Sequence, residues 1–338
     1  MPLAYDELSK NAMGGTELLK HGLVERMERR DPDLLNDFQI FVSRVHEPLD
    51  KSKIILYWHH DLPNDPECSK HLKNQGWENF DLLIFNSNWQ MQQFNQVLGV
   101  PFSKSIVLEN CIVPLDDCEK DYSDTIRLIY TPTPHRGLEL LVPVFEVLQQ
   151  KHPNIELDVF SSFNIYGWGD RDKQYEQLFE KCRNHPKINY HGFKPNSEVR
   201  KALLKAHIFA YPSIWIESSC MTLMEAMSAK LVCVHPNYGA LIETSGGLTS
   251  MYQWTEDANQ HAQRFHDFLD TTIESLKNSD NLPGLQNQLH LQKVYCDTRY
   301  NWNSRENQWF SLLSTLKQNK ENVFSIRKPA GNYFRVQT

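Results

Sequence analysis

Along the chain, short runs of apolar and β-branched residues alternate with stretches whose apolar positions recur at helical spacing. In the first half the extended runs fall at residues 38–44, 54–58, 82–86 and 105–108, and helical spacing at 18–30 and 87–98. Ser87 opens the second helical stretch, a residue suited to capping free helix amides. An acidic segment at 113–125 (VPLDDCEKDYSDT) interrupts the alternation and reads as an interdomain linker. After it, strands are expected at 127–130, 155–160, 188–191, 208–211 and 231–234, with helices at 138–150, 173–182, 197–206 and 222–229. Residues 301–318 (NWNSRENQWFSLLSTLKQ) read as a long amphipathic helix with Trp302, Trp309, Leu312 and Leu316 on one side. Strands alternating with helices in this way imply parallel sheets covered on both faces, here two doubly wound α/β domains facing one another. Ligands bind at the carboxyl ends of such strands, so the chemistry is expected in the loops that follow them, in a cleft between the domains.

Composition narrows the classes. No run approaches the roughly 20 apolar residues of a membrane span, and the start MPLAYDELSKNAMGG lacks a signal peptide's apolar core. A cytoplasmic location, with at most peripheral membrane association, is the expectation. The seven cysteines contain no C-x-x-C pair, which suits reduced thiols. Residues 1–124 hold 12 basic and 21 acidic side chains, a balance of −9, whereas the remainder holds 23 and 21, a balance of +2. An acidic front half disfavours nucleic acid as a partner and directs phosphate chemistry to the second half.

The most informative segment is 211–226, YPSIWIESSCMTLMEA. A strand ends at Tyr211-Pro212, a loop follows, and a helix begins between Glu217 and Glu225. The first helix amides, near Ser219, Cys220, Met221 and Thr222, form a natural seat for a phosphate. Glu217 is placed to accept hydrogen bonds from hydroxyls beside that phosphate, and Glu225 to hold the two hydroxyls of a ribose. The spacing alone fits equally well two surface glutamates flanking a capped helix.

E-x7-E, preceded by a P-S strand end and followed by E-A-M, resembles the signature of retaining glycosyltransferases with the GT-B fold. This is the large family of sucrose synthases and many lipopolysaccharide and capsule glycosyltransferases. Residues 130–137 (YTPTPHRG) are similar to the family's phosphate-binding segment. Arg136 falls where the family places a Lys contacting the donor diphosphate, and Thr131 where it often has an Arg, so His135 becomes a possible auxiliary donor. Gly14-Gly15, within NAMGGTE, matches the family's G-G loop, although only a short polar stretch precedes it where the family has a full strand. His59-His60-Asp61 ends the second strand where the family often has a His near the transferred sugar, and either His fits. Asn86-Ser87 and Asn110 match recurring loop-shaping positions.

The resemblance implies two Rossmann-like domains: 1–115 (acceptor side, abbreviated), a linker at 116–125, and 126–300 (donor binding). A helix and tail at 301–338 cross back to the first domain. It implies a retaining, metal-independent transfer of a sugar from a nucleoside-diphosphate donor, UDP- or GDP-linked, to a hydroxyl acceptor. A nucleotide-sugar epimerase and a silent sugar-nucleotide-binding partner are the alternatives.

Rival motifs are missing. There is neither G-x-x-x-x-G-K-[ST] nor G-x-G-x-x-G, and the histidines form no H-E-x-x-H. The D-x-D triplets at Asp31–Asp33 and Asp170–Asp172 do not follow strands and are expected to be solvated loop residues, so no metal site is anticipated.

Overall fold

The computed structural model describes residues 14–320. The short polar stretch before the glycine pair, residues 11–13 of its motif, and the tail beyond 320 lie outside them. The described residues fall into two units.

The first unit gathers Leu18–Glu109 and residues 305–320. Its strands are β1 (Phe38–Val42), β2 (Ile54–Trp58), β3 (Leu82–Phe85) and β4 (Ser105–Val107), parallel and in the order β1-β2-β3-β4. Every residue of β1 and β2 is buried, as their unbroken apolar runs require of strands covered on both faces. Helices α1 (Gly15–Arg30, from Leu18 onward), the single-turn α2 (Pro66–Ser69) and α3 (Asn88–Leu98) belong here. Ser87 caps α3 by accepting from Gln90 N at 3.0 Å, and Gly99 closes it in the left-handed conformation.

In the second unit the strands are β5 (Ile126–Tyr130), β6 (Ile155–Val159), β7 (Ile188–Tyr190), β8 (Ile208–Ala210), β9 (Val232–Pro236) and β10 (Ser250–Tyr252). They form one parallel sheet in the order β10-β9-β8-β5-β6-β7. The chain winds outward from β5 through β6 to β7, then returns to build β8, β9 and β10 on the other side. The switch point of this doubly wound sheet lies between β5 and β8, where open α/β sheets bind their ligands. Covering helices are α4 (Leu138–Lys151), α5 (Glu176–Asn184), α6 (Asn196–Lys205), α7 (Met221–Ser228), α8 (Leu241–Ser245), α9 (Ala258–Lys277) and α10 (Leu282–Arg299). The last helix, α11 (Trp302–Gln318), groups with the first unit from residue 305 onward. No helix among the described residues is long and apolar enough to cross a membrane.

Some expectations shift. Helix α5 starts three residues later than its pattern suggests, because Asp172 accepts from Phe163 N at 2.8 Å and from Ser162 Oγ at 2.5 Å. Those bonds hold residues 169–175 in 3-10 turns and make Asp172 a structural residue rather than a solvated one. Segment 113–125 lies along the second unit: Leu115 N donates to Ser228 Oγ at 2.8 Å. Lys120 donates to the carbonyls of Leu203, Leu204 and Ala206 at 2.8–3.0 Å, capping the end of α6.

Buried neutral histidines lock this unit. His207 Nδ1 accepts from Arg127 N at 2.9 Å. His235 Nδ1 lies 2.9 Å from Pro236 O, which can only accept, so the proton sits there and Nε2 accepts from Thr249 at 2.8 Å. Burial pushes both imidazoles down to about 4. An unfolded chain takes up these protons near 6.5, so between pH 6.5 and 4 it binds more protons than the folded one and acid destabilises the fold. Each histidine contributes a slope of up to about 1.4 kcal/mol per pH unit. Urea midpoints should therefore fall from pH 7 to pH 5, and His207→Gln should flatten the dependence. A pH-independent midpoint over that range contradicts the assignment.

Candidate active site

The loops that follow three neighbouring strands, β5, β8 and β9, meet at the carboxyl edge of the second sheet. Strand β5 runs into a tight turn at Pro134–Arg136, closed by Arg136 N donating to Thr133 O at 3.1 Å. Gly137 follows with φ +127, where a Cβ would lie 2.2 Å from Pro212 O. Only glycine lets this turn rest against the end of β8. Ile214 N then donates to Arg136 O at 3.3 Å, tying the second loop to the first. The third loop closes on Glu217: Ala240 N donates to Glu217 O at 2.8 Å, and a Cβ on Gly239 would lie 2.7 Å from that oxygen.

These backbone ties bring Arg136 and Glu217 together. Arg136 Nη1 donates to Glu217 Oε1 at 2.5 Å, and Tyr211 OH donates to the same oxygen at 2.5 Å. Glu217 is 6% exposed, so its charge depends on these donors. Burial, reinforced by the Glu217 charge, holds the Tyr211 phenol far above its ordinary range, which keeps it a donor. Tyr211 was legible as the residue ending the strand, but its bond to Glu217 was not.

Helix α7 starts at Met221, and its N-cap Cys220 makes no side-chain cap bond. Burial and the Glu217 charge push the Cys220 thiol up to about 12, leaving it protonated, with Sγ 3.3 Å from Thr222 Oγ1. Ser219 O accepts from Asn110 Nδ2 at 3.3 Å. One turn into α7, Glu225 accepts from Arg200 Nη1 at 3.0 Å and from Asn196 Nδ2 at 3.2 Å. Burial raises this carboxyl from its usual range, opposed by Arg200. Asn196 and Arg200 are one turn apart on α6, a spacing that puts both on one face. Their partnership with Glu225 went unread because it spans two helices.

Several buried polar atoms in these loops meet no hydrogen-bond partner among the described residues: Thr131 Oγ1, Thr133 Oγ1, His135 Nδ1 and Asn110 Oδ1. Buried polar groups are normally paired, so these atoms are donors and acceptors still open at the edge of the sheet. His135 is a neutral imidazole near pH 7. Burial, together with the charges of Arg136 and Arg171, pushes it down to about 4, and it stacks on Phe163 at 5.0 Å.

Gly14 and Gly15 group with the second unit: a Cβ on Gly14 would lie 2.5 Å from the Tyr166 ring, and one on Gly15 2.9 Å from Met221 Sδ. In the first unit the two histidines part company. His59 is wholly buried among Tyr57, Phe85 and Phe94, with Nδ1 3.4 Å from Cys68 Sγ, and it is a core residue. His60 is half-buried beside Trp58, and burial pushes it down to about 3, so it is neutral near pH 7. Asp61 pairs with Arg44, which also bonds Asp65 at 2.9 Å. Asn86 and Gln90 shape the adjoining loop, Gln90 donating to Asp61 O at 2.7 Å.

One group of described residues has metal-ligand spacing, His152, Asp270 and Glu274. Lys151 already bonds both carboxylates at 2.7 Å, and Lys277 lies 2.9 Å from His152 Nδ1, so lysines supply the positive charge there.

The chain has the GT-B fold, and residues 129–248, which contain Arg136, Glu217 and Glu225, match the model of the family Glycosyl transferases group 1. Among curated relatives, one subunit of human phosphatidylinositol N-acetylglucosaminyltransferase is 28% identical over 155 residues. That match covers 44% of this chain and 31% of the human protein, so the chain spans about a third of that relative's length. The Arabidopsis thaliana counterpart is 30% identical over 117 residues, 35% of this chain and 24% of that protein. Among solved structures, Anabaena HepE in complex with UDP and glucose superposes with a TM-score of 0.63 at 16% identity, covering 86% of this chain and 83% of that one.

Proposed function

We propose that the protein is a retaining glycosyltransferase that moves a sugar from a nucleoside-diphosphate donor to a hydroxyl acceptor without a metal ion. The observation that carries it is the Arg136–Glu217 pair at the switch point of the sheet, bordered by the α7 N-terminus and by the partnerless hydroxyls of Thr131 and Thr133. A guanidinium offers five N–H donors, so Arg136 can hold Glu217 and a diphosphate oxygen at once. The amides opening α7 and the two threonine hydroxyls complete an anion seat in which a single cation suffices.

Both hydrogen bonds to Glu217 fall on Oε1, and among the described residues Oε2 takes none. Oε2 is thus available to a sugar hydroxyl, while Glu225 serves the ribose. In the proposed step the bond from the anomeric carbon to the leaving phosphate oxygen breaks as the acceptor oxygen bonds that carbon from the same face. The acceptor's proton passes to the leaving phosphate, so no protein base is required. The guanidinium and helix amides stabilise the negative charge that develops on the phosphate. The UDP bound to HepE makes UDP the first nucleotide to try, and the relatives' N-acetylglucosaminyl transfer supports an N-acetylhexosamine as a first sugar.

The test is calorimetric titration with UDP and GDP in EDTA. One diphosphate should bind, and Arg136→Gln should weaken it about tenfold or more. Failure of the wild type to bind either nucleotide, or equal affinity in the variant, contradicts the proposal.

A further inference from the structure

Trp215 stands two residues before Glu217 and is 45% exposed, next to Ile214 at 38%. An exposed indole on a loop would ordinarily swing, but here the backbone beneath it is held and the ring packs on His135. Ser213 Oγ donates to Trp215 O at 2.9 Å and accepts from Trp215 N at 3.3 Å, while Ile214 N is tied to Arg136 O. The indole meets the His135 ring edge-on, centroids 4.7 Å apart at 86°, and His135 lies flat against Phe163. The guanidinium carbon of Arg136, the same group that holds Glu217, is 5.7 Å from the indole centroid. A rigid apolar plate therefore borders the charged pair and keeps much of its area open to solvent.

That combination matches the two chemistries of a pyranose. A sugar ring carries apolar C–H groups on its faces and hydroxyls around its rim. The first pack on aromatic faces, and the second hydrogen-bond to carboxylates. We propose that Trp215 is a specificity-determining residue whose indole stacks on the apolar face of the transferred pyranose while Glu217 accepts from its rim. This rests on the donor-binding proposal above. The rigid setting matters: a plate already fixed in place loses little conformational freedom when the sugar arrives.

The experiment compares calorimetric affinities of UDP, GDP, UDP-glucose, UDP-N-acetylglucosamine and GDP-mannose for the wild type, Trp215→Phe and Trp215→Ala. In Trp215→Ala the nucleotide sugar that the wild type prefers should bind about tenfold more weakly, with its parent diphosphate within about twofold of wild type. Trp215→Phe, which keeps a ring, should recover most of the loss. Equal weakening of diphosphate and nucleotide sugar would place the indole on the base or phosphates and overturn the proposal, as would no weakening of either. A wild type that binds none of the five ligands fails the donor proposal and this one together. Wild-type binding that Trp215→Ala leaves intact fails this one alone.

Discussion

Glu217→Gln will lower sugar transfer about a hundred- to a thousandfold while the protein stays folded. The amide keeps an oxygen where Oε1 stands, so Arg136 and Tyr211 retain an acceptor in a site that is almost fully buried. What disappears is the negative charge beside the guanidinium and the second carboxylate oxygen that the proposed function offers to the sugar. Glu217→Ala is the harsher change, because it leaves the Arg136 guanidinium with neither a countercharge nor an acceptor there and costs about 3–5 kcal/mol of stability. The Gln variant therefore separates chemistry from folding. Its thermal midpoint should lie within a few degrees of wild type, by order of magnitude. A Gln variant that turns over at the wild-type rate removes Glu217 from the site.

Gly137→Ala should be among the most destabilising single-methyl additions available in the second unit. The residue sits at φ +127, and its new Cβ would lie 2.2 Å from the backbone oxygen of Pro212, which cannot swing away as a side chain would. Either the 134–137 turn or the end of β8 must move, and Ile214 N would lose its grip on Arg136 O. The expected loss is about 3 kcal/mol or more in urea denaturation. Gly247→Ala is the control: φ is +75 there, but no atom lies within 4 Å of the added methyl, so the backbone penalty alone of about 1–2 kcal/mol applies. Equal losses at the two positions would show that the approach to Pro212 carries no energetic weight.

The strand-loop-helix rhythm around Arg136, Glu217 and Glu225 is legible in the sequence because each lies where a short apolar run gives way to a helix start. Their pairing is not. Arg136 and Glu217 are 81 residues apart, and they meet only because β8 returns to lie beside β5, an adjacency that periodicity does not encode. The protonation state of His135 was equally hidden, since it follows from burial against Phe163 and Trp215. Helices α9 and α10 drew no expectation, although they cover much of the second unit. In α10 the buried face runs through Leu289, Gln292 and Cys296, and Gln292 donates to Leu231 O at 2.9 Å. A glutamine that bonds a backbone carbonyl in the core breaks the apolar stripe by which a helix is recognised. His59 illustrates the converse: a polar residue type at a strand end turned out to belong to the core.

The return of α11 to the first unit also sets an order of assembly. Glu306 there pairs with Arg29 at 3.0 Å, Arg26 at 3.6 Å and Arg30 at 3.7 Å, and Trp309 packs edge-on against Trp58 at 4.9 Å. The sheet β1–β4 thus acquires a covering helix from residues that follow the whole β5–β10 unit in the chain. Strands β5 to β10 and helices α4 to α10 all lie between those two segments, so they are made before α11 emerges. During synthesis β1 to β4 therefore wait for residues 305–318 to bring Trp309 against Trp58, after the strands of the second unit have been made. A chain stalled before Trp309 carries β1 to β4 without the indole that packs on Trp58.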